Sequence, residues 1–259
     1  MNEMVHILKK IADSARKRYL ELKNENSDLL SNKVSTGAYG HKSSYMDEEV
    51  EKEIIREVEE NELPFNIFTE EKGWIDRQAD RTLIVDPVDG SYNAEHGIPF
   101  YSISLAIGKK DLRSVEVALV KNVPLNIDYW AIRGVGAYRE SEKLRTKSEK
   151  TGVFVIYLGK NASENAYEVA KKARRVRDLG CASLEMITVA EGIADLFYYS
   201  FKGRGALRIV DIAAAYLITT EAGGLVIDEN MNPLNMGLDF NERKNVIAIS
   251  SDVIREVFQ

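Results

Sequence analysis

Two aspartates lie three positions apart directly after the apolar segment Leu83–Val85, in the order Asp86-Pro87-Val88-Asp89-Gly90-Ser91. Pro87 fixes φ and removes a backbone donor, so we expect it to force the chain out of the strand. Gly90 permits a tight bend, which would direct both carboxylates into the same space. Two carboxylates about 4 Å apart repel by about 4 kcal/mol at an effective dielectric of about 20. A shared proton, a basic residue or a divalent cation must offset that repulsion.

An all-oxygen ligand set suits a hard ion, Mg²⁺ or Mn²⁺. The backbone after Gly90 is expected to turn into a helix or a nest whose N–H groups bind phosphate oxygens. Metal-binding carboxylates beside such a turn predict phosphoryl chemistry. Taken alone, the same segment fits a surface β-turn with solvated aspartates equally well.

Two further acidic sites favour the cation hypothesis. Glu70 and Glu71 follow the predicted strand Phe65–Thr69, although a surface acidic pair is the simpler alternative. Asp211 interrupts the apolar start of a predicted helix over Ile209–Ala222. A buried carboxylate needs a partner, so Asp211 is either a helix cap or part of the site.

Composition excludes several classes of protein. The chain has 259 residues, which is room for one large domain or two compact ones. Its 41 acidic against 35 basic residues argue against a nucleic-acid partner, and it has no apolar run of the length that a membrane helix needs. One cysteine and three histidines exclude a disulfide and disfavour a structural zinc site, so we expect a cytoplasmic protein.

Periodicity predicts the elements that position these acids. Apolar residues at helical spacing open the chain, Ser31–Ser44 is expected to be a mobile loop, and Asp47 begins a second helix. A run of short strands follows Pro64, and strands alternate with helices, one of them over Ala162–Val176, after the charged segment Glu140–Lys150. We therefore predict an α/β protein with an α+β subdomain at residues 1–145 that carries most metal ligands and an α/β subdomain at residues 146–259 that carries Asp211 and the substrate loops.

The ordered motifs resemble the inositol monophosphatase family over nearly the whole chain. They are Glu70-Glu71, the Asp86–Ser91 segment, Asp211-Ile212-Ala213-Ala214 and Glu221-Ala222-Gly223-Gly224. The resemblance is strongest to the archaeal branch, which hydrolyses inositol monophosphate and fructose 1,6-bisphosphate. That closer match is carried by Gly90-Ser91-Tyr92-Asn93, Gly97-Ile98-Pro99-Phe100 and Arg175-Val176-Arg177 leading to Gly180. The family resemblance implies a five-layer αβαβα sandwich and a homodimer.

The resemblance also implies a set of metal ligands. One Mg²⁺ would be held by Glu70, Asp86 and the carbonyl of Val88, and a second by Asp86, Asp89 and Asp211. A third, weaker ion would lie near Glu70, and Mn²⁺ could replace Mg²⁺.

Catalytic and phosphate-binding roles follow from the same resemblance. Gly90 and Ser91 would offer N–H groups to the phosphate, and Asp47 with the Ser91 hydroxyl would orient the attacking water. Water would attack directly, without a phosphoenzyme. The loop Thr36–Ser44 would help to close the site, although Tyr39 stands where archaeal relatives often have Asp.

Substrate contacts are predicted at several other positions. Tyr199 stands where some inositol phosphatases hold the polyol with Glu, and Ala182 matches a small residue beside the substrate. The basic loop around Lys202 and Arg204 could meet a second phosphate or could be a solvated turn. Further candidate contacts are Tyr157 and Arg177.

The leading hypothesis is a Mg²⁺-dependent phosphatase of a phosphorylated polyol or sugar. A 3′(2′),5′-bisphosphate nucleotidase is the enzymatic alternative, because it would share the same carboxylates. A non-catalytic regulatory or binding protein on the same fold is the alternative of another class.

Overall fold

The computed structural model describes residues 3–25, 33–36, 42–203, 205–251 and 254. Within them the fold is mixed α/β, as predicted. A short 3₁₀ helix spans Leu112–Ser114. The six described α-helices, α1 to α6, are Glu3–Glu25, Tyr45–Glu60, Ser91–Glu95, Glu164–Ala170, Ala182–Ala190 and Ile209–Glu221.

The described strands form one two-stranded ladder and two larger sheets. β1 and β2 are Lys33–Thr36 and Lys42–Ser44. The eight-stranded sheet has the order β10-β9-β8-β7-β6-β5-β3-β4, and the five-stranded sheet has the order β12-β11-β13-β15-β14. The strands β3 to β10 are Phe65–Thr69, Gly73–Ile75, Arg81–Asp89, Ser102–Gly108, Val117–Asn122, Ile127–Ile132, Gly136–Arg139 and Glu142–Lys143. The strands β11 to β15 are Val153–Ile156, Arg175–Arg177, Leu196–Tyr199, Gly224–Ile227 and Val246–Ser250.

Alternating side chains build the layers on the two faces of each sheet. In β5, Leu83 and Val85 pack in the cluster that contains α1 and α2, whereas Ile84 packs with α5 and α6 on the other face. In the second sheet Phe197 packs in the α5 and α6 cluster, and Tyr198 packs with α4. The order of layers is therefore helices, sheet, helices, sheet, helix, which is the predicted αβαβα sandwich.

The prediction that Pro87 ends its strand was wrong. β5 continues to Asp89, but its pairing with β6 is irregular between Asp86 and Asp89. A proline is tolerated where a ladder is interrupted, because its missing N–H leaves no partner unsatisfied.

Two other local predictions were also wrong. Residues 33–36 and 42–44, expected to be loop, pair as an antiparallel ladder, which needs only backbone donors and acceptors. The helix predicted to Val176 ends at Ala170, and Arg175–Arg177 is an edge strand parallel to β11. Tyr39 lies outside the described residues.

The charged segment Glu140–Lys150 contains β10, the edge strand of the eight-stranded sheet, and most of the link from that strand to the five-stranded sheet. β10 ends at Lys143 and β11 begins at Val153. The subdomain boundary at residues 145 and 146 stays a prediction. No helix in the described part of the chain has both the length and the apolar character needed to cross a bilayer.

Candidate active site

Three acidic side chains converge where the eight-stranded sheet meets α6. Glu70, Asp86 and Asp211 each offer a carboxylate oxygen, and these oxygens lie within 4.8 Å of one another. The solvated-turn alternative does not hold, because Asp86 and Asp89 are only 3% and 8% exposed.

The register between two strands of the eight-stranded sheet places two of these acids. β3 and β5 are parallel neighbours, with Thr69 opposite Val85. Glu70 and Asp86 are the next residues, so the parallel register places them side by side. Asp211 comes from the first turn of α6, which packs on β5 and β6. Acids that are far apart in sequence thus share one end of the sheet.

Asp89 is held by the N-terminus of α5. Its Oδ1 accepts a hydrogen bond from the Ala182 N–H at 3.1 Å. Its Oδ2 accepts from the N–H of Ser183 at 2.7 Å, from the Ser183 hydroxyl at 2.5 Å and from the Cys181 thiol at 3.2 Å. These donors orient the carboxylate and tie β5 to a helix of the middle layer.

Burial makes the site costly to charge in the absence of a cation. Desolvation, then the carboxylates of Glu70, Asp89 and Asp211, raise the pKa of Asp86, and the Arg208 guanidinium acts in the opposite direction. Desolvation also raises the pKa of Asp89 to about 6, against the lowering effect of its hydrogen bonds from Ser183. A divalent cation would reverse both shifts, because it favours the charged forms.

Asp47 is a fourth buried acid, placed by the start of α2. The Ser44 hydroxyl caps this helix by accepting the Asp47 N–H at 3.2 Å. Desolvation and then the nearby Glu70 raise the pKa of Asp47 to about 7, while hydrogen bonding by Ser44 and Ser91 lowers it. Asp47 therefore lies beside both the acidic cluster and the turn that follows Gly90.

Position 90 requires glycine because of its backbone conformation and because of the little space around it. Its φ of +86° lies in the left-handed region, and an added Cβ would be 3.1 Å from Gly180 O and 3.2 Å from Phe100 O. Directly after it, the Ser91 hydroxyl donates to the Val88 carbonyl at 2.8 Å. The turn thus presents the first N–H groups of α3, which have no acceptor within that helix.

A cavity of about 220 Å³ opens over the cluster. It is lined by Glu70, Asp86, Val88, Asp89, Gly90, Ser91, Gly180, Ala182, Tyr199, Ala206, Leu207, Arg208, Asp211 and Arg243. Most of the predicted metal and phosphate ligands therefore surround one space, together with two of the predicted substrate contacts.

Other predicted substrate contacts lie outside this lining. Tyr157 stacks on Tyr199 with ring centroids 4.9 Å apart. Arg177 is exposed and donates to the Val176 carbonyl at 2.8 Å. Lys202 is exposed and pairs with Glu164 at 2.7 Å. Arg204 lies outside the described residues.

Sequence reasoning missed three polar side chains that touch or line the site. Arg208 contacts two of the clustered acids, Ser183 holds Asp89, and Arg243 lines the cavity and donates to the Ala206 carbonyl at 3.3 Å. Arg208 had a partial signal, because an acid three positions after the first residue of a helix start can accept the backbone N–H of that residue, as Asp211 does.

The comparison with known families agrees with this geometry. A model of the inositol monophosphatase family matches residues 4–257. The chain belongs to the inositol monophosphatase family. It is 34% identical over 221 residues to the fructose-1,6-bisphosphatase/inositol-1-monophosphatase of Thermococcus kodakarensis, covering 85% of this chain and 82% of that protein.

Two further similarities bear on fold and substrate. A crystal structure described as an inositol monophosphatase-fructose 1,6 bisphosphatase superposes with a TM-score of 0.83 at 30% identity, covering 99% of this chain and 98% of the other. A bifunctional NADP phosphatase/NAD kinase of Methanococcus maripaludis is 34% identical over 188 residues, which cover 64% of this chain and 33% of that protein. As a member of the inositol monophosphatase family with such relatives, the chain is a phosphatase.

Proposed function

We propose that the chain hydrolyses phosphomonoesters of polyols or sugars, inositol 1-phosphate and fructose 1,6-bisphosphate among them, with Mg²⁺ as its cofactor. The observation that carries this is the convergence of carboxylate oxygens from Glu70, Asp86 and Asp211 within 4.8 Å. The relative from Thermococcus kodakarensis bears both substrate names. The homodimer remains a prediction.

The donor set fits a hard divalent cation. The buried Asp86 Oδ1 accepts no hydrogen bond from the residues that the structure describes, and three other acids lie near it, Glu70, Asp89 and Asp211. Carboxylate oxygens in this arrangement are ligands that Mg²⁺ and Mn²⁺ prefer. We assign one ion to Glu70, Asp86 and the Val88 carbonyl, and a second to Asp86, Asp89 and Asp211. A third ion would lie near Glu70.

Bound Mg²⁺ would supply electrostatic stabilisation of the phosphate charge and would lower the pKa of the attacking water. The chain's own residues would do the positioning. The N–H groups after Gly90 would bind phosphate oxygens. Asp47 and the Ser91 hydroxyl would orient the water, since Asp47 is buried beside Ser91 and Glu70.

A nucleotide is the second candidate substrate. Tyr199 lines the cavity and belongs to an aromatic group with Tyr157 and Phe201, whose ring centroids lie 4.9 and 5.7 Å from that of Tyr199. An aromatic wall of this kind can stack with a base. The relative named an NADP phosphatase motivates the same test, whether the substrate is NADP or adenosine 3′,5′-bisphosphate. A non-catalytic regulatory role is set aside, because the chain belongs to a phosphatase family.

The test is phosphate release from inositol 1-phosphate, fructose 1,6-bisphosphate, adenosine 3′,5′-bisphosphate and NADP, each in EDTA and in Mg²⁺. We expect release only with Mg²⁺, and fastest from the first two substrates. Faster release from either nucleotide would replace the polyol assignment, and release in EDTA would contradict the metal assignment.

A matched pair of variants tests the cluster itself. Asp86→Asn removes one negative charge with little change of shape, and we expect at least about a 100-fold loss of phosphate release. Asp80→Asn makes the same change at an exposed position and should leave the rate unchanged. Equal rates for both variants would contradict the assignment of Asp86 as a ligand.

A further inference from the structure

Arg208 places a fixed positive charge among the clustered acids. Its Nη2 lies 2.5 Å from Glu70 Oε1 and 2.8 Å from Asp211 Oδ1, and its Nε lies 3.1 Å from the same Asp211 oxygen. The three side chains are only 10% to 14% exposed. The guanidinium therefore bridges two of the three acids whose oxygens converge at the site.

The backbone keeps this arginine in place. Arg208 is the N-cap of α6, and its N–H donates to Asp211 Oδ2 at 2.7 Å. Its side chain then crosses to Glu70, which is 138 residues away in sequence. Main-chain and side-chain contacts together join α6 to the end of β3.

Arg208 offsets only part of the local negative charge. Glu70, Asp89 and Asp211 all act to raise the pKa of Asp86, and Arg208 opposes them. Arg208 and the cavity-lining Arg243 bring two positive charges to a cavity lined by four carboxylates, so the cation-free site keeps a net negative charge. The oxygens that Arg208 contacts, Glu70 Oε1 and Asp211 Oδ1, belong to the acids that we assign to different metal ions.

We propose that Arg208 is the resident counter-cation of the metal-free site, and that it competes with divalent cations for Glu70 and Asp211. This inference rests on the proposed metal site. Arg208 stabilises the folded chain when no metal ion is bound, and a bound metal ion takes over its charge-neutralising role. Removing Arg208 should therefore weaken the metal-free fold and strengthen the binding of divalent cations.

Competition should outweigh any loss of positioning, because the Asp211 carboxylate keeps a backbone contact and the turn that carries Glu70 is held by a residue other than Arg208. Asp211 Oδ2 keeps the backbone N–H of residue 208 in any variant except proline. The turn that carries Glu70 is fixed by Glu51, whose Oε2 accepts the Thr69 hydroxyl at 2.6 Å and the Glu71 N–H at 2.9 Å. The positive charge beside the two acids is what the variant mainly loses.

The experiment compares the wild type with Arg208→Gln and Arg208→Lys after removal of metal by EDTA and dialysis. Mn²⁺ binding is measured by calorimetry, and thermal unfolding is followed in EDTA. Arg56→Gln, which removes an exposed arginine of α2, is the matched control and should change neither measurement.

For Arg208→Gln we expect a Kd for Mn²⁺ about tenfold lower than that of the wild type. We also expect a Tm in EDTA about 5 °C lower. If Arg208→Gln folds only when Mn²⁺ is present, that result supports the proposal as well. Arg208→Lys keeps the charge but loses the planar fork, so it should bind Mn²⁺ slightly more tightly than the wild type.

Weaker Mn²⁺ binding by either variant would overturn the competition and would make Arg208 a positioning residue. An unchanged Tm in EDTA for Arg208→Gln would overturn the counter-cation role. Failure of the wild type to bind Mn²⁺ at all would overturn the metal site itself, so the two failures are distinguishable.

Discussion

Replacing Gly90 by alanine tests whether the turn after β5 is fixed by the space around it. The φ of +86° costs a residue other than glycine about 1–2 kcal/mol. The added Cβ would also lie 3.1 Å from Gly180 O, 3.2 Å from Phe100 O and 3.1 Å from Cys181 Cβ. Because two of these neighbours are backbone atoms, relief requires a movement of the chain that costs about another 1–3 kcal/mol.

Gly97 provides the matched control. Its φ is +73°, but an added Cβ would meet no atom within 4 Å. Gly97→Ala should therefore lose only the backbone part, about 1–2 kcal/mol, whereas Gly90→Ala should lose at least about 1 kcal/mol more. Urea unfolding measures both losses, and an unchanged m-value makes the comparison valid.

The two variants should differ more in activity than in stability. A shift at Gly90 moves Asp89 and the N–H groups of α3 together, and a displacement of about 1 Å at such a site costs on the order of 100-fold in rate. Gly97→Ala should keep most of the phosphate release. Equal stability losses in the two variants would refute the role assigned to the space around Gly90.

Two further predictions concern buried charge. Lys121, whose side chain is 3% exposed, lies 2.6 Å from Asp128, and Lys9 also reaches that acid at 3.2 Å. Lys121→Met should therefore cost about 2–3 kcal/mol in urea unfolding, less than a fully broken buried pair, and a loss below about 1 kcal/mol would contradict this. In EDTA, burial raises the pKa of Asp47 from 3.8 to about 7 and that of Asp89 from 3.8 to about 6. Between about pH 4 and about pH 7 the folded chain therefore binds more protons than the unfolded chain. The Tm in EDTA should fall as pH rises from about 4 to about 7, and the increase that Mg²⁺ gives should grow over the same range; a flat or rising profile in EDTA would contradict this.

Local patterns predicted the strands that are short, apolar and bounded by turn residues. The run from Phe65 to Ile132 was read as strands because β-branched and aromatic residues recur between turn residues, and the sheet confirms it. The pattern failed where only pairing decides the structure. Arg175–Arg177 has a single apolar residue, which is too short a pattern to predict a strand, but the segment pairs with β11. Pro87 stays within β5 because the ladder is interrupted there.

The acids of the site were predictable for a different reason. Glu70, Asp86 and Asp211 each follow or begin an apolar element, and buried acids at element ends need a partner or a bound cation that stabilises their charge. Their partners were not predictable in the same way. The contact of Arg208 with Glu70 spans 138 residues, and no local pattern encodes it. The contacts of Asp89 with α5 likewise depend on how two layers pack.

The acidic site is also a joint between layers of the fold. Asp89, at the end of β5, takes its hydrogen bonds from α5, and Arg208, at the start of α6, bridges to Glu70 after β3. The contacts that orient the carboxylates are therefore the same contacts that connect the eight-stranded sheet to α5 and α6. A change of charge at the site must therefore act on the stability of the fold, because the buried acids repel one another when they are charged and no cation is bound, and protonation or cation binding relieves that repulsion. Cation binding should accordingly stabilise the folded chain, which links the stability of the fold to the occupancy of its site.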